Sequence, residues 1–273
     1  MQEHATAGSG IGHSVRRKED DRYLRGRGEF VADIRLAGMR DLAFVRSPLA
    51  HPRIRVPKDA TGRVFTMADL AGVKPIAAIS GLPGFKASDQ PALAAGKVRH
   101  VGEAVAVWVA ASRAEAEGLA GEVELDLEEL PAVVDMLAAR RPGAPPVHEH
   151  WGDNVLLETV VEDDLAAIRA VAAVVVRRSF RTARQCMSPL EGRGVVAAWE
   201  RRLEQLVVHS STQMPHVVRT GLAECLGLDH GRIRVVAPDV GGGFGYRASC
   251  CRRRWSPAGS AIRCAGSRTG ASN

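Results

Sequence analysis

Apolar and polar positions alternate in short blocks along this chain, and the period changes from block to block. Leu42 to Val45 is strand-like and sits among Gly-punctuated polar turns. "VFTMADLAG" begins as a short helix, with Thr66 placed as N-cap and Gly72 as stop. "VRHVGEAVAVWVA" is β-branched and apolar enough for a strand buried on both faces. "SRAEAEGLAGEV" follows as a helix capped by Ser112, and then Val123, Leu125 and Leu127 alternate against acids as a half-exposed strand. Strands interrupted by two short helices predict an α+β domain over residues 15–138 that folds as an independent unit.

A stretch rich in proline and glycine, "ARRPGAPPVHEHWGDN", has no period and predicts a linker over residues 139–155. Beyond it, "DDLAAIRAVAA" predicts an amphipathic helix, "AVVVRRSFRT" a strand, and "RGVVAAWE" with "LEQLVVHSST" a pair of strands. In "MPHVVRTGLAECLGL" the apolar positions Val217, Val218, Leu222, Cys225 and Leu226 return at helical spacing. Pro215 suits the first turn of that helix and Gly227 its end. The strand "RIRVVAP" then delivers the chain into Gly241–Gly245, so residues 156–246 form a second unit.

Composition narrows the class. With 45% hydrophobic and 25% charged residues the 273-residue chain reads as globular, and no run approaches the 18 apolar residues of a membrane span. The N-terminus lacks a signal-peptide pattern, so a cytoplasmic location is expected. Its net charge of +6 suggests nucleic acid until its position is noted. Residues 247–273 hold six arginines and no acid, so residues 1–246 are neutral and nucleic acid ranks last among the partners considered. Three of the five cysteines, Cys250, Cys251 and Cys264, share that tail, and Cys186 and Cys225 stand apart, which suits a reducing compartment.

From Arg247 the composition turns to Arg, Cys, Ser and Gly without any strand or helix period. That is how GC-rich DNA reads in a wrong frame, so residues 247–273 are expected to be an out-of-frame, disordered tail on a truncated chain.

Four places carry candidate chemistry. The glycine run 241–245 is neither a dinucleotide fingerprint, since Tyr246 stands where glycine is needed, nor a P-loop, since no Gly-Lys-Ser/Thr follows. It brings backbone close to a ligand or makes a tight turn. Gln213, between a strand and a helix, offers a donor and an acceptor to a ligand or caps its own turn. His148 and His150 have metal-ligand chemistry but no second cluster at ligand spacing, and the tail cysteines form no C-x-x-C pair, so no metal site is expected from either.

In order, "GIGHSVRRKEDDRYLRGRGEFVADI", "AFVRSPLAHPRI", "VGEAVAVWVA", "RQCMSPLEGRGVVAAWE", "SSTQMPHVVRTGLAECLGL" and "RVVAPDVGGGFG" resemble the molybdopterin-binding large subunit of the molybdenum hydroxylases, the family of xanthine dehydrogenase, aldehyde oxidoreductase and carbon monoxide dehydrogenase. The resemblance implies an α/β hammerhead domain followed by the truncated start of a molybdopterin-binding domain. It implies that Gln213, Gly242, Gly243, Phe244 and Gly245 bind the cofactor, with the Gln213 amide on an oxo ligand of molybdenum and Phe244 walling the substrate channel. Glycine is expected at 243 because a Cβ would strike the cofactor.

The implied cofactor is molybdopterin, in its cytosine dinucleotide form, with molybdenum. The implied partners are an FAD-binding medium subunit, a [2Fe-2S] small subunit and a small-molecule substrate. The activity is hydroxylation of an aldehyde or N-heterocycle, or oxidation of carbon monoxide, with water as oxygen source. No catalytic residue is expected in this chain, because the family's proton-accepting glutamate comes later. Some relatives place an acid soon after the glycine loop; Tyr246, Arg247 and Ala248 offer none, which argues against a purine. The competing reading is a non-catalytic hammerhead module that docks the flavin and iron–sulfur subunits.

Overall fold

The computed structural model describes residues 11, 12, 14–55, 63–78, 80–160, 164–183, 185–245 and 247. The first unit contains helix α1 (Asp20–Leu24), strands β1 (Asp41–Arg46), β2 (Pro52–Arg55), β3 (Val64–Phe65), β4 (Ile76–Ala77), β5 (Asp89–Gln90) and β6 (Ala104–Ala110), helix α2 (Arg113–Gly121) and strand β7 (Asp126–Glu129). Strand β6 is the middle of an antiparallel sheet ordered β1-β6-β3, and Val105, Ala106 and Val107 in it have no exposed surface. A strand paired on both edges and covered on both faces has no polar position to offer, which is why its sequence lacks alternation.

Helix α2 starts where Ser112 accepts the Glu115 N–H at 3.3 Å, and it lays Ala116 on Ala43 and Ala110 of the sheet. Strands β2 and β7 pair antiparallel, placing Ile54 opposite Leu127 over a second cluster with Val45, Val98 and Val105. The expected helix at 66–72 is a single 3-10 turn, Met67–Leu70. There the Thr66 N–H and hydroxyl donate to Asp69 at 2.8 and 2.9 Å.

Residues 139–155 hold no strand or α-helix, only 3-10 turns at Ala138–Arg140 and Glu149–Trp151, yet they are tied down. Asn154 accepts from the Val147 N–H at 2.8 Å and donates to the carbonyls of Ala139 and Pro145. Trp151 donates its indole N–H to Ala87 at 3.0 Å, and Lys86 binds Asp153 at 2.5 Å. Glu149 is held down to about 2 by Lys97, its ion-pair partner. His148 stacks on Trp151 at 4.2 Å between ring centroids, and no metal-ligating cluster exists among the described residues.

The second unit holds helix α3 (Leu165–Val171), strands β8 (Val195–Glu200) and β9 (Gln205–Ser210), helix α4 (Pro215–Leu226) and strand β10 (Ile233–Val236). Helix α4 buries Val218, Leu222, Ala223 and Cys225, a stripe at helical spacing, while Val217 stays outside it. Gly227 ends it in the left-handed region at φ 65°.

One expectation is corrected here. "AVVVRRSFRT" makes no strand and is exposed throughout, and α3 buries none of its residues. Among the described residues no strand lies beside either, so their apolar pattern finds neither ladder nor cover. The apolar core continues across the linker: one cluster joins Leu70, Leu93 and Val107 to Leu206, Val208, Leu222 and Ile233. The Lys74 N–H donates to the Cys225 carbonyl at 2.8 Å across that join.

The tail beyond Arg247, with Cys250, Cys251 and Cys264, lies outside the described residues. Arg247 itself, grouped with that tail by composition, is fully buried in the body.

Candidate functional site

The site is set by the direction of three strands. β9 and β10 run parallel, with Ile233 opposite Leu206 and Val236 opposite His209, so both release their chains at the same sheet edge. β8 runs antiparallel to β9, with Val195 opposite Ser210, and therefore starts at that edge. The turn after β9, the loop after β10 and the residues entering β8 must converge there. They carry Gln213, Gly241–Gly245 and Glu191.

Gln213 is exposed at the head of α4, while Ser211 and Thr212 before it are buried. The Thr212 hydroxyl accepts the Met214 N–H at 3.1 Å and donates to the Arg247 carbonyl at 3.2 Å, fixing the turn. Two further bonds join 213 and 247: the Gln213 N–H donates to the Arg247 carbonyl at 3.3 Å, and the Arg247 N–H donates to Gln213 Oε1 at 3.3 Å. A main-chain N–H can only donate, so Oε1 must face it and the side-chain NH2 must point the other way.

The glycine loop closes on the amide. A Cβ at Gly243 would stand 2.7 Å from Gln213 Cδ and 3.0 Å from its Nε2, so a side chain there would push the glutamine aside. A Cβ at Gly241 would stand 2.5 Å from Glu191 Cβ. Gly242 and Gly245 take left-handed backbone at φ 106° and 75°, and Phe244 does so at φ 51°, rare for an aromatic residue. Phe244 presents its ring outward with 69% exposed, and a Cβ on Gly245 would meet nothing within 4 Å. Gln213 and Gly243 are therefore in contact, Gly242 lies against Pro189, and Phe244 and Gly245 form the open rim.

Four charged residues around this edge, Glu191, Arg247, Asp239 and Arg22, were given no role by the sequence reading. Glu191 Oε2 accepts the Gly241 N–H at 2.7 Å and the Arg247 guanidinium, which also donates to the carbonyls of Glu191 and Gly192. Asp239, just before the loop, accepts both Arg22 nitrogens at 2.6 Å, the Tyr23 hydroxyl at 2.9 Å and the Glu29 N–H at 2.8 Å. The Arg22 guanidinium, first among these, holds the Asp239 carboxyl down to about 2. Glu191 and Arg22 lie inside quoted motifs, but partners 56 and 217 residues away leave no local signal.

These features define an antiparallel-sheet unit joined to a three-stranded sheet whose loops bring Gln213, Glu191 and the glycine run together. Residues 25–131 match the family described as aldehyde oxidase and xanthine dehydrogenase, a/b hammerhead domain, and residues 147–264 match the molybdopterin cofactor-binding domain. The chain belongs to the molybdenum hydroxylase large subunits.

The nicotine 6-hydroxylase large subunit of Paenarthrobacter nicotinovorans is 37% identical over 250 residues, 87% of this chain and 30% of that protein. The carbon monoxide dehydrogenase large chain of Hydrogenophaga pseudoflava is 32% identical over 84% of this chain and 31% of its own. The solved structure of quinoline 2-oxidoreductase from Pseudomonas putida 86 superposes with a TM-score of 0.87 at 40% identity, over 93% of this chain and 33% of that one. The chain thus spans about a third of the length of the relatives it matches. No helix among the described residues is long and apolar enough to cross a membrane.

Proposed function

We propose that this chain supplies one wall of a molybdenum–molybdopterin site in an oxidoreductase that hydroxylates an N-heteroaromatic substrate with water as the oxygen source. The observation that carries this reading is the Gln213 amide, held by its Oε1 on the Arg247 N–H and packed against Gly243 of the glycine loop. The residues present fit the group. Gln213 offers donors suited to an oxo ligand, the rim at Phe244 and Gly245 is open, and the Glu191 carboxylate at the start of the loop is paired with Arg247. When bound, the group supplies the redox centre and the activation of water.

The chain's own residues do three things in this reading. Gln213 donates a hydrogen bond and thereby orients the group. Gly242, Gly243 and Gly245 let the main chain come close to it. Phe244 covers the substrate side and helps exclude water. The proton acceptor is assigned to a later part of the family's chain.

An N-heterocycle is favoured over an aldehyde or carbon monoxide because the relatives acting on nicotine and quinoline, at 37% and 40% identity, exceed the carbon monoxide dehydrogenase large chain at 32%. The names "large subunit" and "complex subunit gamma" among the relatives support assembly with other subunits. We assign these as the FAD-binding and [2Fe-2S] subunits, with the cytosine dinucleotide form of the cofactor and a cytoplasmic location.

The test is metal and pterin analysis with activity, on the chain isolated with its partner subunits. Molybdenum and pterin are expected together in the wild type. Gln213→Ala should keep the metal and lose most turnover, while Gly243→Val should lose the metal, because its side chain blocks the approach of the cofactor to the loop. Full metal and full activity in both variants would remove this edge from the site. Apoprotein that still captures a flavoprotein partner would establish the docking module instead.

A further inference from the structure

We infer that Glu191 and Arg247 form a positioning pair that fixes the orientation of the Gln213 amide and closes the glycine loop around it. The inference rests on the cofactor reading above only for its consequence; the device itself is in the chain.

Glu191 holds the loop at both ends. At the start, its Oε2 accepts the Gly241 N–H at 2.7 Å while its own N–H donates to the Gly241 carbonyl at 3.2 Å. At the end, the same oxygen takes the Arg247 guanidinium, which is fully buried, against a Glu191 side chain 13% exposed. A fork bonded at once to a carboxylate and to two carbonyls has one orientation available, unlike an ammonium on a flexible stem.

That anchored side chain determines where the Arg247 peptide lies, and the Arg247 peptide determines where the amide lies. Its carbonyl accepts from Thr212 and from the Gln213 N–H, and its N–H holds Gln213 Oε1. Gly243 closes the third side, where a Cβ would stand 2.7 Å from Gln213 Cδ and push the amide from its place. The amide is thus held at its oxygen and along its face, leaving only NH2 for a ligand. Without the pair, the Arg247 N–H would be released and the amide could rotate to present oxygen, an acceptor with nothing to offer an oxo group. Glu191 and Arg247 act through Gln213, and neither is assigned a contact with substrate or cofactor.

The experiment follows the Gln213 side-chain amide by ¹⁵N NMR in the whole 273-residue chain, assigned by its disappearance in Gln213→Ala. In the wild type both NH2 protons should be shifted from those of an exposed glutamine. Arg247→Met and Glu191→Gln should move them to the exposed position and speed solvent exchange of the Arg247 N–H by about tenfold or more, a local opening of the loop. Arg247→Lys, which keeps the charge and loses the fork, should fall between.

Unchanged Gln213 signals in a folded Arg247→Met or Glu191→Gln chain would overturn the inference. If Arg247→Met fails to fold, Glu191→Gln decides, because it keeps the side chain's size and an acceptor for Gly241. Loss of folding in both would also overturn it, showing a pair that serves stability alone. Pterin and molybdenum content separates the two readings. A responsive amide in a chain that takes no cofactor leaves the pair standing and sinks the function, whereas cofactor bound beside an unresponsive amide does the reverse.

Discussion

Arg22 and Asp239 meet in a two-pronged ion pair, each guanidinium nitrogen 2.6 Å from a carboxylate oxygen, across 217 residues of chain. The pair ties α1 to the exit of β10, immediately before the glycine loop. With Glu191 gripping Gly241 and Arg247, the loop is anchored outside both its ends. It can then hold a left-handed Phe244 that a free loop would avoid.

The Asp239 anchor predicts a pH dependence. Its folded carboxyl is lowered to about 2, chiefly by Arg22, from an unfolded value of about 3.9. A depressed acid stabilises the folded chain above its unfolded pKa, and that stability fades as pH falls through the folded one. The melting temperature of Asp239→Asn should therefore lie below the wild type by a constant margin above about pH 5, and the two should converge as the pH falls from about 4 to about 2. A margin independent of pH down to 2 would mean that the carboxylate's charge contributes nothing.

The glycines of the loop differ in what they cannot accept. At Gly241 an added methyl lands 2.5 Å from a Cβ, which cannot swing away, whereas at Gly245 it meets open space but a φ of 75°. Gly241→Ala should cost about 1–3 kcal/mol by overpacking, and Gly245→Ala about 1–2 kcal/mol by backbone strain. Urea denaturation gives both values. Only Gly241→Ala should weaken the bond from the backbone N–H of residue 241 to Glu191, read as faster exchange of that amide.

Residues 172–183 offer Val174, Val176 and Phe180 to solvent, the last 87% exposed, with no regular structure. Trypsin should cut after Arg177, Arg178 or Arg181 before it reaches Arg140 or Arg141, whose segment is pinned by Asn154 and Trp151. Val176→Asp should leave stability within about 0.5 kcal/mol and reduce self-association in sedimentation, because it breaks an uncovered apolar run. Earlier cleavage at Arg140 would show that the wrap is looser than its hydrogen bonds indicate.

Elements with a short-range cause were legible. Helix α4 could be read from Pro215 to Gly227 because its start, stripe and stop all lie within one window, and β6 because a continuous apolar run has few other uses. Helix α1 was missed: its five residues, DDRYL, bury nothing and are held by Asp239 far along the chain. The strand read into 173–182 failed for the opposite reason, since a β-branched apolar run shows surface that can be buried without supplying the neighbour that buries it. At the site, Gln213 and the glycines stood out by residue type, whereas Glu191 and Arg247 are ordinary charges whose meaning comes only from meeting each other.

The last prediction concerns the join between the two units. Leu70, Leu93 and Val107 share an apolar cluster with Leu206, Val208 and Leu222, and α4 reaches across to the first unit through the Lys74 bond to the Cys225 carbonyl. A first unit that folded alone would be indifferent to α4. Instead, residues 15–138 expressed alone should unfold at lower urea than the same residues within the whole chain and bind a hydrophobic dye, because the cluster loses its cover. Leu222→Ala in the whole chain should cost about 2–5 kcal/mol, the range for a leucine with no exposed surface. It should lower protection of β6 amides, in a sheet to which Leu222 does not belong. Hydrogen exchange read by mass spectrometry decides the matter: protection lost in α4 and β9 alone, with β6 untouched, would show two cores in contact and not one.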